Sequence, residues 1–226
     1  MRKLLFVLCT LSVLVPAAAE LEAASDEAVQ RNNLGASLLQ QTKVDEAIAE
    51  FQKAVALDPK YTAAYLNLGY AYDRQGRTEE ATAQYQKVVA LEPDNLLAHN
   101  NLGVLYDKKG LYAEAIREFE RVLQVDPSNA TARDNLERAK SSKGIAQERE
   151  ERFAQARKEV EARPDDPRAA YNLGRLHASF GEKEQALKWL AKALKLGFDD
   201  VKFLKDDPAL VPLKDDPRFT GLLEGR

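Results

Sequence analysis

Apolar side chains in this chain recur at helical, not strand, intervals. Tyr65, Leu68, Gly69 and Tyr72 fall three, four and seven residues apart, and Ala81, Tyr85 and Val88 repeat that spacing, so each set forms one stripe of a helix with polar residues on its other faces. The two stripes predict a pair of antiparallel helices packed along them. Gly69 and Ala81 are small where the helices cross, which lets the backbones approach while large neighbours fill the space on either side. Gly76 and Gly110 are placed to end the first helix of a pair by accepting the left-handed conformation a helix end requires. Pro93 and Pro127 end the second, because proline has no N–H to donate and restrains the residue before it.

The pattern repeats every 34 residues: Asn33-Leu34-Gly35 returns as Asn67-Leu68-Gly69 and Asn101-Leu102-Gly103. Pro59, Pro93 and Pro127 keep the interval, as do Ala47, Ala81 and Ala115, and the aromatic set Phe51, Tyr85 and Phe119. In these residues the chain resembles the tetratricopeptide-repeat family, whose unit has this period and this small and aromatic pattern. The resemblance covers about two-thirds of the chain and implies an all-α fold, a right-handed superhelical solenoid of antiparallel helix pairs. The second unit carries Tyr65, Leu68, Gly69, Tyr72, Ala81, Tyr85 and Pro93; the third puts His99 at the first aromatic position. The first departs more, with Arg31 and Leu38 at aromatic positions and Thr42 in place of the turn glycine. Thr42-x-x-Asp45 is there expected to act as a capping box for the following helix.

Residues 24–127 are thus expected to hold three repeats, and residues 128–164 a degenerate fourth. That unit starts in phase with Asn135-Leu136 and reaches Gly144 on schedule, but Glu137 takes the small position. Its second part, Glu148 to Arg163, is dense in Glu and Arg with a thin stripe of Phe153, Ala156 and Val160. It reads as a degenerate, lengthened second helix serving as a hinge or spacer, or as a solvated helix with its apolar side packed on the solenoid. A further repeat fills 165–197, with Asp166-Pro167 as N-cap and first helical residue, then Tyr171, Leu173, Gly174, Gly181, Ala186 and Leu190. In 198–226, Lys205-Asp206-Asp207-Pro208 and Lys214-Asp215-Asp216-Pro217 each open a short apolar stretch. The two phrases resemble the end unit of bacterial repeat arrays, which would cover the last repeat with Phe203, Leu204, Leu210, Leu213, Phe219 and Leu222.

Composition narrows the partner class. With Lys+Arg 33 against Asp+Glu 36 the net charge is −3, which leaves no cationic excess for a phosphate backbone or a membrane surface. Arg2 and Lys3, the apolar run Leu4 to Val15, Pro16 and then Ala17, Ala18 and Ala19 before Glu20 read as a signal peptide over residues 1–19, with cleavage after Ala19. The alternative is an uncleaved anchor, which the shortness of the run disfavours. Cys9 lies inside the run, so the mature chain would hold no cysteine, as suits an oxidising compartment. The chain is therefore expected to be exported and periplasmic, or else secreted or anchored by its signal, with no membrane insertion once the signal is gone.

Catalytic chemistry finds no constellation. His99 and His177 sit at aromatic positions of the repeat and not at metal-ligand spacing, and the Asp pairs before Pro208 and Pro217 lack the glycine and alternating oxygens of a calcium loop. No catalytic residue, metal or cofactor is expected, and helix capping accounts for the Asp pairs. The resemblance instead implies contact through the first helix of each repeat, which lines the concave face in this family. Those positions include Ala63, Leu66, Asn67, Tyr70 and Arg74, then Leu97, Asn100, Asn101, Val104 and Lys108. Asn recurs as Asn33, Asn67, Asn101, Asn135 and Asn172, and a ladder of amides could pair with the backbone of an extended peptide or else bond the neighbouring repeat. Relatives that grip acidic chaperone C-termini carry Lys and Arg where this chain has Asn32, Leu97 and Asn101, so a dicarboxylate clamp is missing. Leu66, Tyr70, Leu97 and Val104 point to a partly apolar segment of another protein, extended or an amphipathic helix. The function expected is an envelope scaffold. Its rivals are a self-associating structural protein, hence a homo-oligomer, and an accessory subunit of an envelope enzyme.

Overall fold

A computed structural model describes residue 23 and residues 25–224, and every regular element in them is helical. The signal peptide expected over residues 1–19 lies outside the described residues. The helices are α1 (25–40), α2 (Val44–Leu57), α3 (Thr62–Arg74), α4 (Thr78–Leu91), α5 (Leu96–Lys108), α6 (Tyr112–Val125), α7 (Ala130–Ala162), α8 (Pro167–Ser179), α9 (Lys183–Lys195), α10 (Val201–Asp206), a 3-10 turn (Pro208–Leu213) and α11 (Pro217–Glu224). The chain divides into two compact units at Lys143 and Gly144, a point inside α7.

In unit 1 the pairs α1/α2, α3/α4 and α5/α6 are built on one contact. A Cβ added at Gly35, Gly69 or Gly103 would stand 2.6, 2.8 or 2.5 Å from the ring of Phe51, Tyr85 or Phe119 respectively. Each ring lies sixteen residues after its glycine and is buried on the glycine's bare backbone. Ala47, Ala81 and Ala115 are also fully buried, so the second helix is small where it meets the first. The turns are equally regular. Gly76 and Gly110 have φ of 73° and 72°, and the residue after each donates its N–H five residues back, Arg77 to Tyr72 and Leu111 to Tyr106.

Thr42 departs from the expected capping box. It occupies the left-handed position itself, at φ 63°, and Lys43 donates back to Leu38 as the glycine turns do. Its hydroxyl bonds the carbonyl of Gln41 at 2.6 Å, and Asp45 accepts instead from Gln75 of the next repeat, also at 2.6 Å. The turn needs a left-handed residue at this point, and that need overrides the local capping pattern.

The fourth unit is not a helix pair. Residues 130–162 form a single helix, and Gly144 lies within it without the positive φ of the turn glycines. Phe153 keeps the register of the buried rings, thirty-four residues after Phe119, but the glycine sixteen residues before it is Glu137. With no bare backbone to receive the ring, the chain does not fold back. The first part of α7 adds Leu136 and Ala139 to the core of unit 1 around Ala115 and Phe119. In unit 2, Phe153, Ala156 and Val160 pack on Ala169, Leu173 and Leu176 of α8.

Unit 2 is otherwise the pair α8/α9 and the short helices beyond it. Asp166 caps α8 through the N–H groups of Arg168 and Ala169, with Pro167 as first helical residue, and Gly181 turns the chain at φ 74°. Gly174 faces Leu190, whose backbone N would stand 3.0 Å from an added Cβ. The second Asp of each repeated phrase is the cap: Asp207 accepts from the N–H of Ala209 and Asp216 from that of Arg218. Leu204, Leu210, Leu213 and Phe219 are buried against α8 and α9, while Phe203 stays half exposed.

Two glycines of this fold respond oppositely to one added methyl group. Gly103→Ala drives a Cβ into the buried Phe119 ring and is expected to destabilise by about 1–3 kcal/mol despite its better helix propensity. Gly144→Ala meets nothing within 4 Å in mid-helix and should gain about 0.8–1 kcal/mol, both read from urea unfolding. Thr42→Gly removes a left-handed strain of about 1–2 kcal/mol at a cost of about 0.5–1 kcal/mol in chain entropy, so Tm in a thermal melt should rise by a few degrees.

Candidate protein-binding face

The first helices of unit 1, namely α1, α3, α5 and the start of α7, are joined side to side by polar links. Asn67 donates from Nδ2 to Asn32 Oδ1 at 2.8 Å, and Asn135 to Asn100 Oδ1 at 3.3 Å. Lys108 Nζ meets Asp73 Oδ1 at 3.0 Å, and Arg138 Nε meets Asp107 Oδ2 at 3.3 Å. Asn32 is only 6% exposed and also donates to the Tyr61 hydroxyl at 3.3 Å. The second helices attach to the following repeat through Gln52 and Gln86, which donate to the hydroxyls of Tyr72 and Tyr106 at 2.9 and 3.0 Å.

These links engage much of the amide ladder. Asn67, Asn100 and Asn135 bond neighbouring repeats, and Asn101 bonds the Tyr85 hydroxyl. Asn33 and Asn172 are exposed and make no side-chain hydrogen bond among the described residues; Asn172 belongs to unit 2. The apolar positions divide in the same way. Leu66 and Val104 are half-buried and pack into the core clusters, whereas Tyr70 is 49% exposed and Leu97 65%, on adjacent first helices. Arg74 is exposed one turn beyond Tyr70. Sequence reasoning missed Asn32 as the partner of Asn67. Its signal was a spacing of 35, one more than the period, shared by Asn32/Asn67, Asp73/Lys108 and Asn100/Asn135.

The titratable groups behind this face are structural. His99 is buried with Nδ1 on Glu118 at 2.7 Å and Nε2 on the Pro93 carbonyl at 2.9 Å. Burial pushes the Tyr85 phenol well above its ordinary value, the charge of Asp73 adds to that, and the Asn101 hydrogen bond acts the other way. Among the described residues no group of three or more His, Cys, Asp or Glu is placed to hold a metal ion, and no helix is long and apolar enough to cross a membrane.

Comparison with known proteins gives a consistent answer. A family model described as tetratricopeptide repeat matches residues 32–95, 66–132 and 142–200. No curated protein sequence matches the chain. Among solved structures, the first such domain of Spaghetti (RPAP3), bound to the HSP90 peptide SRMEEVD, is 27% identical, with TM-score 0.51, over 52% of this chain and 94% of that one. The first domain of human RPAP3 is 25% identical, with TM-score 0.52, over 55% of this chain and 98% of that one. YrrB, described as having an unusual peptide-binding site, is 23% identical, with TM-score 0.50, over 83% of this chain and 95% of that one, a likeness of fold.

The buried phenol behind the face gives a pH test. A folded-state value raised above the ordinary tyrosine value of about 10 means that its stabilisation is complete below that pH and is lost as pH rises beyond it. Stability measured by urea unfolding should therefore fall above about pH 10. Tyr85→Phe, which copies Phe51 and Phe119, should fold and show a shallower fall.

Proposed function

We propose that this chain, which belongs to the tetratricopeptide-repeat family, is an exported, non-catalytic adaptor that holds a partly apolar segment of another protein on the first-helix face of unit 1. The observation that carries this reading is the exposure of Tyr70 and Leu97, at 49% and 65%, on adjacent first helices of unit 1. Fully burying such a side chain is worth about 1.5–3 kcal/mol, so two of them can anchor a segment that polar rim contacts then orient. Peptide holding by the similar Spaghetti domain supports the general role. The acidic peptide of that complex is not the ligand proposed here, since Asn32, Leu97 and Asn101 stand where clamp relatives carry cations. Engagement of Asn67, Asn101 and Asn135 within the fold favours apolar side-chain contact over backbone pairing along an amide ladder. Export rests on the residues from Arg2 to Ala19 and puts the adaptor in the cell envelope.

The test is capture from an envelope extract with protein starting at Glu20, beside Tyr70→Asp/Leu97→Asp. These two positions are exposed, so the variant keeps its fold, unlike one at half-buried Leu66. A partner identified by mass spectrometry should bind the first protein and lose at least about tenfold in affinity to the second. Equal retention by both would overturn the reading, and concentration-dependent dimerisation without a captured protein would replace it with self-assembly.

A further inference from the structure

Unit 2 contains a groove of about 570 Å³ between the second half of α7 and α8. Its floor is apolar, from Ala156 and Leu176, both part of the cluster that joins the two helices. Its walls are charged with both signs: Glu151, Arg152 and Glu159 from α7, and Arg175 from α8. Arg175 follows Asn172-Leu173-Gly174 as Tyr70 follows Asn67-Leu68-Gly69, so it holds the surface position at which unit 1 shows an exposed tyrosine.

Arg175 is set in place from behind. Its Nε donates to Asp207 Oδ2 at 2.9 Å, and the Tyr171 hydroxyl donates to the same oxygen. The other oxygen of Asp207 caps the 3-10 turn through the Ala209 N–H at 2.9 Å. Asp207 is 5% exposed and used on both oxygens, so it serves as a fixed anchor. The Arg175 side chain is 52% exposed, and its two terminal nitrogens make no hydrogen bond among the described residues. A guanidinium held this way offers a ready fork for a carboxylate. On the facing wall Glu151 makes no ion pair among the described residues, and among them the Glu159 carboxylate accepts only from Gln155, at 3.2 Å. Arg152 has no ion pair there either, and its guanidinium lies 5.7 Å from the centre of the Phe180 ring.

We propose that this groove is a second protein-binding site and that it takes a mixed-charge segment of a partner, with a carboxylate on Arg175 and a cation between Glu151 and Glu159. Charge complementarity selects this occupant. A purely acidic segment would face Glu151 and Glu159, and a purely basic one would face Arg152 and Arg175. The two glutamates are eight residues apart on one helix, about 12 Å, so that wall offers negative charge to a partner cation over about two turns. The site belongs to unit 2 and does not depend on the face proposed for unit 1.

The test is fluorescence anisotropy of the protein starting at Glu20 with three labelled synthetic peptides on one Leu/Ala background, carrying Glu and Lys one turn apart, Glu alone, or Lys alone. The mixed peptide should bind at least about tenfold more tightly than either other, and weaken with salt as exposed ion pairs do. Arg175→Gln and Glu151→Lys should each reduce its binding about tenfold, and Tyr70→Asp/Leu97→Asp should leave it unchanged. Glu151 is exposed and outside the Asp207 anchor, so its variant decides the matter even if Arg175→Gln loosens the fold. Equal binding of a single-sign peptide, no binding of the mixed one, or indifference to Glu151→Lys would overturn the proposal.

Discussion

The contact on which the repeats depend is an aromatic ring packed on a glycine. At Gly35, Gly69 and Gly103 the space a methyl group would need is already filled by Phe51, Tyr85 or Phe119, so the ring of each second helix packs directly on the backbone of the first. The contact recurs with one spacing, and successive first helices come to stand side by side, linked by Asn32/Asn67, Asp73/Lys108 and Asn100/Asn135. Gly174 and Leu190 show that the ring can be dispensed with when an aliphatic side chain approaches the glycine. Glu137 and Phe153 show that the glycine cannot: the ring keeps its register, the bare backbone is gone, and α7 runs on as one helix that lends its two ends to different cores.

Once first helices are neighbours, their polar side chains meet at a spacing of one period plus one residue. Asn32 and Asn67, Asp73 and Lys108, and Asn100 and Asn135 each bond across a repeat boundary in this way. Exposed ion pairs of this sort contribute little, about 0–1 kcal/mol each, but the buried amide of Asn32 must be satisfied, and Asn67 and Tyr61 do so. The consequence for binding is subtractive. Amides that serve the stack are less available to a ligand, and what the face still offers is concentrated in Tyr70, Leu97 and Asn33, whose amide makes no side-chain hydrogen bond among the described residues.

Most of the fold was legible because its determinants are local and repeated. The left-handed turns at Gly76, Gly110 and Gly181 and the cap at Asp166 follow from residue type at a fixed place in a period. Thr42 misled because Thr42-x-x-Asp45 is a good capping pattern in isolation, whereas the turn geometry is imposed by the two helices it joins. The face was harder to read. Its positions follow from helical register, but whether an Asn is free or engaged depends on the neighbouring repeat, which is why Asn33 and Asn67 look alike in sequence and differ in the fold.

The glycine contact constrains the buried side of each first helix and leaves the opposite side free to vary, and the two units use that freedom differently. At the position after the Leu-Gly pair, unit 1 presents Tyr70 and Val104, where unit 2 presents Arg175. The arginine needed support that the tyrosine did not, because a charge on that surface is selective only if its orientation is held. Asp207 supplies it from the short helices beyond the last repeat, in the same contact that closes the core over Leu210 and Leu213. The residues that finish the array therefore also set the chemistry of its last groove, and a change in the Asp207 phrase should be felt in both together.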